Sequence, residues 1–203
     1  MDLRQADDGD PRPRGPALPR TLALQALEHM ARGGSSLPAR QLLAGFILRM
    51  VYGSLRFDDA LHVCPAELQF RGGNLRGRVW QTKVDRKRKG TVFVAPNVSL
   101  TSTPWLVQWF NFSMEHLSEE ADFWLPHTDG RTFFDVAKPA VFASSLAAMR
   151  ELLHWCKEAS GDEAWNKVDP DKVTWHSARC TVPSWAGEAG RPSVEILMQM
   201  HSS

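Results

Sequence analysis

Between two regions patterned for helix, the chain carries LQFRGGNLRGRVWQTKV at residues 68–84 and GTVFVAP at residues 90–96. Val79 and its neighbours alternate apolar with polar side chains, and Thr91 to Val94 is rich in β-branched residues. A period of two marks a half-buried strand, because successive side chains on a strand point to opposite faces. The intervening DRKRKG is polar and ends in glycine, so the two segments are expected to pair as an antiparallel hairpin with a cationic tip. A hairpin set inside an otherwise helical chain points to a mixed α+β domain, mostly helical, with one small antiparallel sheet.

Toward the amino end, LPRTLALQALEHMARG (18–33) repeats apolar residues at Leu22, Leu27 and Met30 and meets a stop signal at Gly33-Gly34. PARQLLAGFILRMVYG (38–53) opens with Pro38 in its first turn and places Leu42, Leu43, Phe46, Ile47 and Met50 at helical spacing. Beyond the hairpin, helices are expected over PWLVQWFNFSMEHL (104–117), PAVFASSLAAMRELLHWCKEAS (139–160), the segment around WHSARC (175–180) and SVEILMQM (193–200). Residues 1–17 mix acids, arginines and prolines with almost nothing to bury, which predicts a disordered arm. Residues 18–37 are expected to be a helical remnant or linker, and residues 38–203 the main domain. A chain of 203 residues with 43% apolar content can bury one real core.

The formal net charge of +1 conceals a local asymmetry. Arg71, Arg76, Arg78, Lys83, Arg86, Lys87, Arg88 and Lys89 stand against a single acid, Asp85, while acids gather at Glu115, Glu119, Glu120 and Asp122. A solvated hairpin accounts for such a run taken alone; a polyanion partner accounts for its concentration, since each cation set against a phosphate releases counterions. Cys64, Cys156 and Cys180 are far apart and form no CxxC pair, which argues against a structural zinc site or a disulfide framework and predicts that they pack as small hydrophobes. That usage fits an intracellular, reducing compartment, the nucleus in a eukaryotic source and otherwise the cytoplasm. No apolar run is long enough to span a bilayer.

Four polar features stand out against this scaffold: LRFDDAL with Arg56 and Asp59, QTKV with Lys83, WHSAR with His176 and Arg179, and His201 in LMQMHSS. Singly, each has an ordinary explanation, such as a surface arginine after a helix or an imidazole packed beside Trp175. In order and spacing, they resemble the catalytic domain of the tyrosine recombinases, the family of phage-type integrases and site-specific DNA recombinases. That family carries an Arg in the turn after its second helix with an acid three residues on, a Lys in a β-hairpin, an HxxR at a helix start, and a late His or Trp in a phrase like LMQMHSS. The resemblance runs from about Pro38 to Ser203 and is weakest between Ser99 and Ala137.

The resemblance implies a function, DNA strand cleavage and rejoining during recombination or integration, and a set of roles. Arg56 and Arg179 would clamp the non-bridging oxygens of a phosphodiester with forked hydrogen bonds while staying charged. His176 would hydrogen-bond the phosphate or help accept the nucleophile's proton, and His201 would donate to another non-bridging oxygen. Lys83 would protonate the departing 5′ oxygen as general acid. Asp59 would hold Arg56 or His176 in orientation, and Arg76, Arg78, Arg86, Lys87, Arg88 and Lys89 would contact DNA. The scheme needs no metal and no cofactor; its partners are double-stranded DNA and, in such a family, further subunits on that DNA. The family's nucleophile is a tyrosine that normally follows the His-Ser-Ser phrase. The only tyrosine here, Tyr52, lies before the Arg56 turn and reads as a packing residue, so the catalytic domain is expected to be incomplete at its carboxyl end and inactive alone. Two further departures are Pro183 within the HxxR helix, where a proline is expected to end it early, and Met200 where the family has Gly. A DNA-binding module without catalysis, a type IB topoisomerase-like domain and an unrelated helical interaction protein remain open on the residues alone; in the last, the candidate residues would scatter in space.

Overall fold

A computed structural model describes residues 22–34, 37–79, 90–118, 120–188 and 190. Helix α1 spans Leu22–His29 and continues into a wider turn at Met30–Gly34, where Gly33 adopts a positive φ of 90°. Helix α2 spans Pro38–Gly53, and α3 is the short Phe57–Leu61. A three-stranded antiparallel sheet follows, built from β1 (Gln69–Arg71), β2 (Asn74–Val79) and β3 (Thr91–Ala95) in that order. Then come α4 (Leu106–His116), a second antiparallel pair β4 (Pro126–Thr128) and β5 (Phe134–Pro139), α5 (Phe142–Ser160) and α6 (Trp175–Glu188). Among the described residues no helix is long and apolar enough to cross a membrane.

The mixed, mostly helical architecture is the expected one, with three corrections. The segment read as one long strand is two: the chain reverses at Gly72-Gly73, both at positive φ (59° and 77°), and Arg71 pairs with Asn74. Two consecutive left-handed residues make the two-residue turn whose twist matches that of the strands, and glycine adopts it without a Cβ clash. The β4–β5 pair lies where only helix and loop were expected. Finally, α6 runs through Pro183 to Glu188 instead of ending early, so the loss of one backbone bond is outweighed by its packing on α2. The helix expected at 193–200 and the hairpin tip at 80–89 lie outside the described residues.

Helix α2 is the centre of the molecule. Of its residues, only Pro38, Arg40 and Tyr52 escape full burial, and it touches α1, α3, α4, α5, α6 and β3. A helix apolar all round belongs in a core rather than on a surface. Its approach to α4 is so close that a methyl group added at Gly45 would fall on the Trp109 ring, whose indole N–H donates to the Leu42 carbonyl at 3.2 Å.

The one charged side chain buried in α2 is Arg49, fully inaccessible and enclosed by aromatic rings. Its guanidinium carbon lies 4.2 Å from the Trp124 ring centroid, with Phe46, Phe93 and Trp109 at 5.1, 5.9 and 6.0 Å. One Nη donates to the Ala60 carbonyl of α3, and burial pulls its pKa down to about 9. Cation–π attraction, worth about 2 kcal/mol or more when desolvated, takes the place of a carboxylate partner. Glu28, also fully inaccessible, accepts from the Tyr52 hydroxyl and the Leu100 N–H on Oε1 (2.8 and 2.9 Å) and from the Ser99 hydroxyl, Thr101 N–H and Thr101 hydroxyl on Oε2 (2.6, 3.1 and 3.0 Å).

Two stability predictions follow from α2. Arg49→Ala leaves a ring-lined void and an orphaned Ala60 carbonyl, and it should lose about 2–5 kcal/mol in urea unfolding, with Arg49→Met recovering most of the volume part of that loss. Gly45→Ala, which would favour an isolated helix by about 1 kcal/mol, should instead lower the melting temperature, because overpacking against Trp109 costs about 1–3 kcal/mol.

Candidate functional site

The site begins where α2 ends. Ser54 takes a left-handed conformation (φ 50°, ψ 30°) and its N–H caps the helix on Met50. The chain then turns outward, so that exposed Arg56 stands at the amino end of α3 while Phe57 points into the core. The buried Ser54 carbonyl accepts a hydrogen bond from Arg179 Nε at 3.1 Å, joining residues 125 positions apart. With Nε so occupied, the paired Nη groups are the donors left for a ligand.

Helix α6 is positioned from both sides. Thr174 and Ser177 exchange capping bonds: the Ser177 N–H donates to the Thr174 hydroxyl at 3.3 Å, and the Thr174 N–H to the Ser177 hydroxyl at 3.1 Å. From α5, Arg150 Nε donates to the Val173 carbonyl at 3.0 Å, and His154 Nε2 meets Asp171 at 3.1 Å, fixing the segment that leads into the helix. Below, Trp175 packs on Phe57 (centroids 4.9 Å apart) and on Phe46 (5.8 Å), while Phe142 of α5 meets Phe57 edge to face at 5.3 Å. Arg56 precedes Phe57 and His176 follows Trp175, so this aromatic cluster sets two distant polar motifs side by side.

The result is a cleft of about 250 Å³ lined by Arg56, Phe57, Asp58, Phe142, Thr174, Trp175, His176 and Arg179. Three of the candidate residues, Arg56, His176 and Arg179, therefore share one cleft. Asp59 stands behind them, half-buried, in the field of both arginines. Burial raises its pKa, and Arg56 and Arg179 oppose that rise without cancelling it. The pKa of Arg179 is lowered, first by burial and then by repulsion from Arg56. Lys83, His201, Arg86, Lys87, Arg88 and Lys89 lie outside the described residues. Arg76 and Arg78 are not in the cleft: they are exposed on the outer face of β2 and line, with Glu67, Gln69 and Val92, a shallow concavity of about 580 Å³.

Among the cysteines and the single tyrosine, it is Cys180 that departs from its sequence reading. Cys156 packs in the core as expected, its thiol pushed up to about 12 by burial, but Cys180 is half-buried with its sulfur 3.2 Å from His176 Nε2. Tyr52 packs on Trp105, and its hydroxyl is engaged by Glu28; burial first, and then that carboxylate, hold the phenol far above its ordinary range. Phe142 and Thr174, which also line the cleft, carried no sequence signal of a site. Among the described residues no cluster of His, Cys, Asp or Glu is placed to hold a metal ion.

The fold has counterparts among solved structures. XerH site-specific recombinase bound to its difH substrate superposes with a TM-score of 0.57 at 10% identity, over 95% of this chain and 49% of that one. The Tn1549 transposon integrase in complex with circular intermediate DNA gives 0.57 at 16%, over 97% of this chain and 60% of the integrase. FLP recombinase in a Holliday-junction complex gives 0.52 at 11%, over 89% and 42%. The chain thus has the catalytic-domain fold of these recombinases, and it spans about half the length of the structures it matches. No family model and no curated protein matches the sequence.

The Asp59 environment makes a prediction about pH. A carboxyl whose folded pKa is raised contributes stability below its ordinary range, and that contribution is lost as pH rises through the raised value. Asp59→Asn, which mimics the protonated form, should therefore melt no earlier than the parent at pH 7 and should flatten the pH dependence of melting in the range just above the ordinary carboxylate pKa. A clear fall in melting temperature at neutral pH would contradict this balance of burial over attraction.

Proposed function

We propose that the cleft binds a DNA phosphodiester and that the chain carries the strand-cleaving and rejoining domain of a site-specific recombinase. The observation that carries the reading is the convergence, on this fold, of two mutually repelling guanidiniums and an imidazole in one cleft. Like charges gathered in a partly buried place cost free energy, and an anion between them reverses the sign of that cost. A non-bridging phosphate pair matches two forked donors in geometry as well as charge.

In this scheme Arg56 and Arg179 hold the two non-bridging oxygens and stabilise the charge that builds on them as phosphorus becomes five-coordinate. His176, exposed at the cleft, hydrogen-bonds the same phosphate or takes the proton of the attacking hydroxyl. Lys83 delivers a proton to the departing 5′ oxygen, His201 supplies a further hydrogen bond, and Asp59 steers the two arginines. The attacking group in this scheme is a tyrosine hydroxyl; it forms a 3′-phosphotyrosine as the 5′ oxygen leaves, and reversal rejoins the strand without ATP. Arg76 and Arg78 on the outer face of β2, together with the cations Arg86, Lys87, Arg88 and Lys89, contact the DNA backbone. The site of action is then intracellular DNA.

A second reading, DNA binding without cleavage, is favoured by one observation: the single tyrosine of the sequence is committed to Glu28. Binding of a fluorescein-labelled duplex, followed by anisotropy across a salt series, separates the readings. The affinity should fall linearly on a log–log plot against salt, and Arg56→Ala and Arg179→Ala should each weaken it about tenfold, the value of one charge-assisted contact. Arg179→Lys should not restore binding, because a point charge lacks the fork. If both alanine variants bind as the parent does while loss of the 86–89 cations abolishes binding, the cleft is not a phosphate site and the non-cleaving reading stands.

A further inference from the structure

Cys180 lies one turn beyond His176 on α6, with its sulfur 3.2 Å from Nε2 and 3.9 Å from Nδ1. The thiol is half-buried rather than sealed, and its neighbour in sequence is Arg179, which feels the sulfur as a favourable charge. His176 and Arg179 both line the cleft, as does Arg56. Thiolate character grows where an imidazole can take the proton and guanidiniums stand nearby, and thiolate character together with access governs reactivity. The other two cysteines supply internal contrast. Cys156 is buried with its thiol pushed up to about 12, and Cys64 is half-buried like Cys180.

We propose that Cys180 and His176 form a thiolate–imidazolium pair that makes Cys180 a reactive, oxidisable thiol at the edge of the anion cleft, and that a modification there closes the cleft to a phosphodiester. The second half rests on the phosphate reading given above; the first does not. With a peroxide as oxidant, the thiolate sulfur attacks one peroxide oxygen, and an S–O bond forms as the O–O bond breaks. Sulfur loses two electrons to the peroxide, and the departing hydroxide takes the proton that the imidazole had accepted from the thiol and leaves as water. The product is a sulfenic acid beside His176 and Arg179, and a thiol reductant reverses it by way of a mixed disulfide. The same geometry makes His176 serve two partners: with the thiolate held on Nε2, that nitrogen is withdrawn from a phosphate, so the redox state of Cys180 and the occupancy of the cleft are linked.

The test uses the full chain and limiting iodoacetamide between about pH 5 and 9, with peptide mass mapping of all three cysteines. Cys180 should be alkylated about tenfold faster than Cys64 near neutral pH, with a rate profile displaced below that of an ordinary thiol, and Cys156 should stay unmodified. In His176→Gln, a substitution at an exposed position, the Cys180 profile should return to the ordinary range. Hydrogen peroxide followed by dimedone should label Cys180, and the peroxide-treated parent should lose duplex affinity that Cys180→Ser retains. Equal rates and profiles at Cys180 and Cys64, unchanged in His176→Gln, overturn the pair. Binding that survives modification of Cys180 but is lost in the Arg56→Ala and Arg179→Ala variants overturns the closing of the cleft. Binding indifferent to the adduct and to both arginines overturns the phosphate reading and, with it, the closing, leaving the thiol pair intact.

Discussion

The ring of Trp175 packed on the ring of Phe57 is the contact from which the site's geometry descends. Each residue has a polar neighbour in sequence, His176 and Arg56, and neither of these has strong reason of its own to approach the other. Burial of the two rings, with Phe46 and Phe142 completing the cluster, is worth several times what a surface hydrogen bond contributes, since a large aromatic removes about 150–250 Å² from water. The polar residues are thus carried into place by their apolar companions. The Arg179 to Ser54 hydrogen bond then fixes the remaining rotation of α6 against the end of α2.

What the core provides, the site spends. Two guanidiniums repel each other, and Asp59 sits where burial raises its pKa against the pull of both arginines. Neither arrangement is one that optimising the free protein would produce. Local consistency between residue and environment is the rule in well-specified folds, and departures from it concentrate where a ligand is to be met. The acid also divides the labour: by drawing on both arginines from behind, it limits their mutual repulsion without occupying the cleft itself.

Helix α2, the strands β2 and β3 and the order of the polar motifs were legible because each left a periodic or positional trace. The turn at Gly72-Gly73 is equally present in the sequence, as two adjacent glycines between Arg71 and Asn74, with the alternation of Leu68 and Phe70 resuming out of phase at Leu75 and Val79. The β4–β5 pair was not legible: it is short, contains Pro126 and Pro139, and β5 is mostly exposed, so no alternation develops. Arg49 is the instructive case. A charged residue in an apolar helix reads as a surface position, and only the tertiary structure brings Phe93, Trp109 and Trp124 around it. Cys180 is a related case, since four-residue spacing from His176 brings the sulfur to the imidazole only where the helix is regular between them.

The carboxylate of Glu28 has a mechanical side. It grips residues 99–101, just downstream of β3, and through Tyr52 it also grips the last turn of α2, two residues before the Ser54 carbonyl that steadies Arg179. The sheet with its arginine-bearing outer face and the two-arginine cleft are consequently moored to one bollard. Tension applied to the ribbon by a long, stiff polymer would not be dissipated in a slack connecting loop; it would arrive at the root of the cleft.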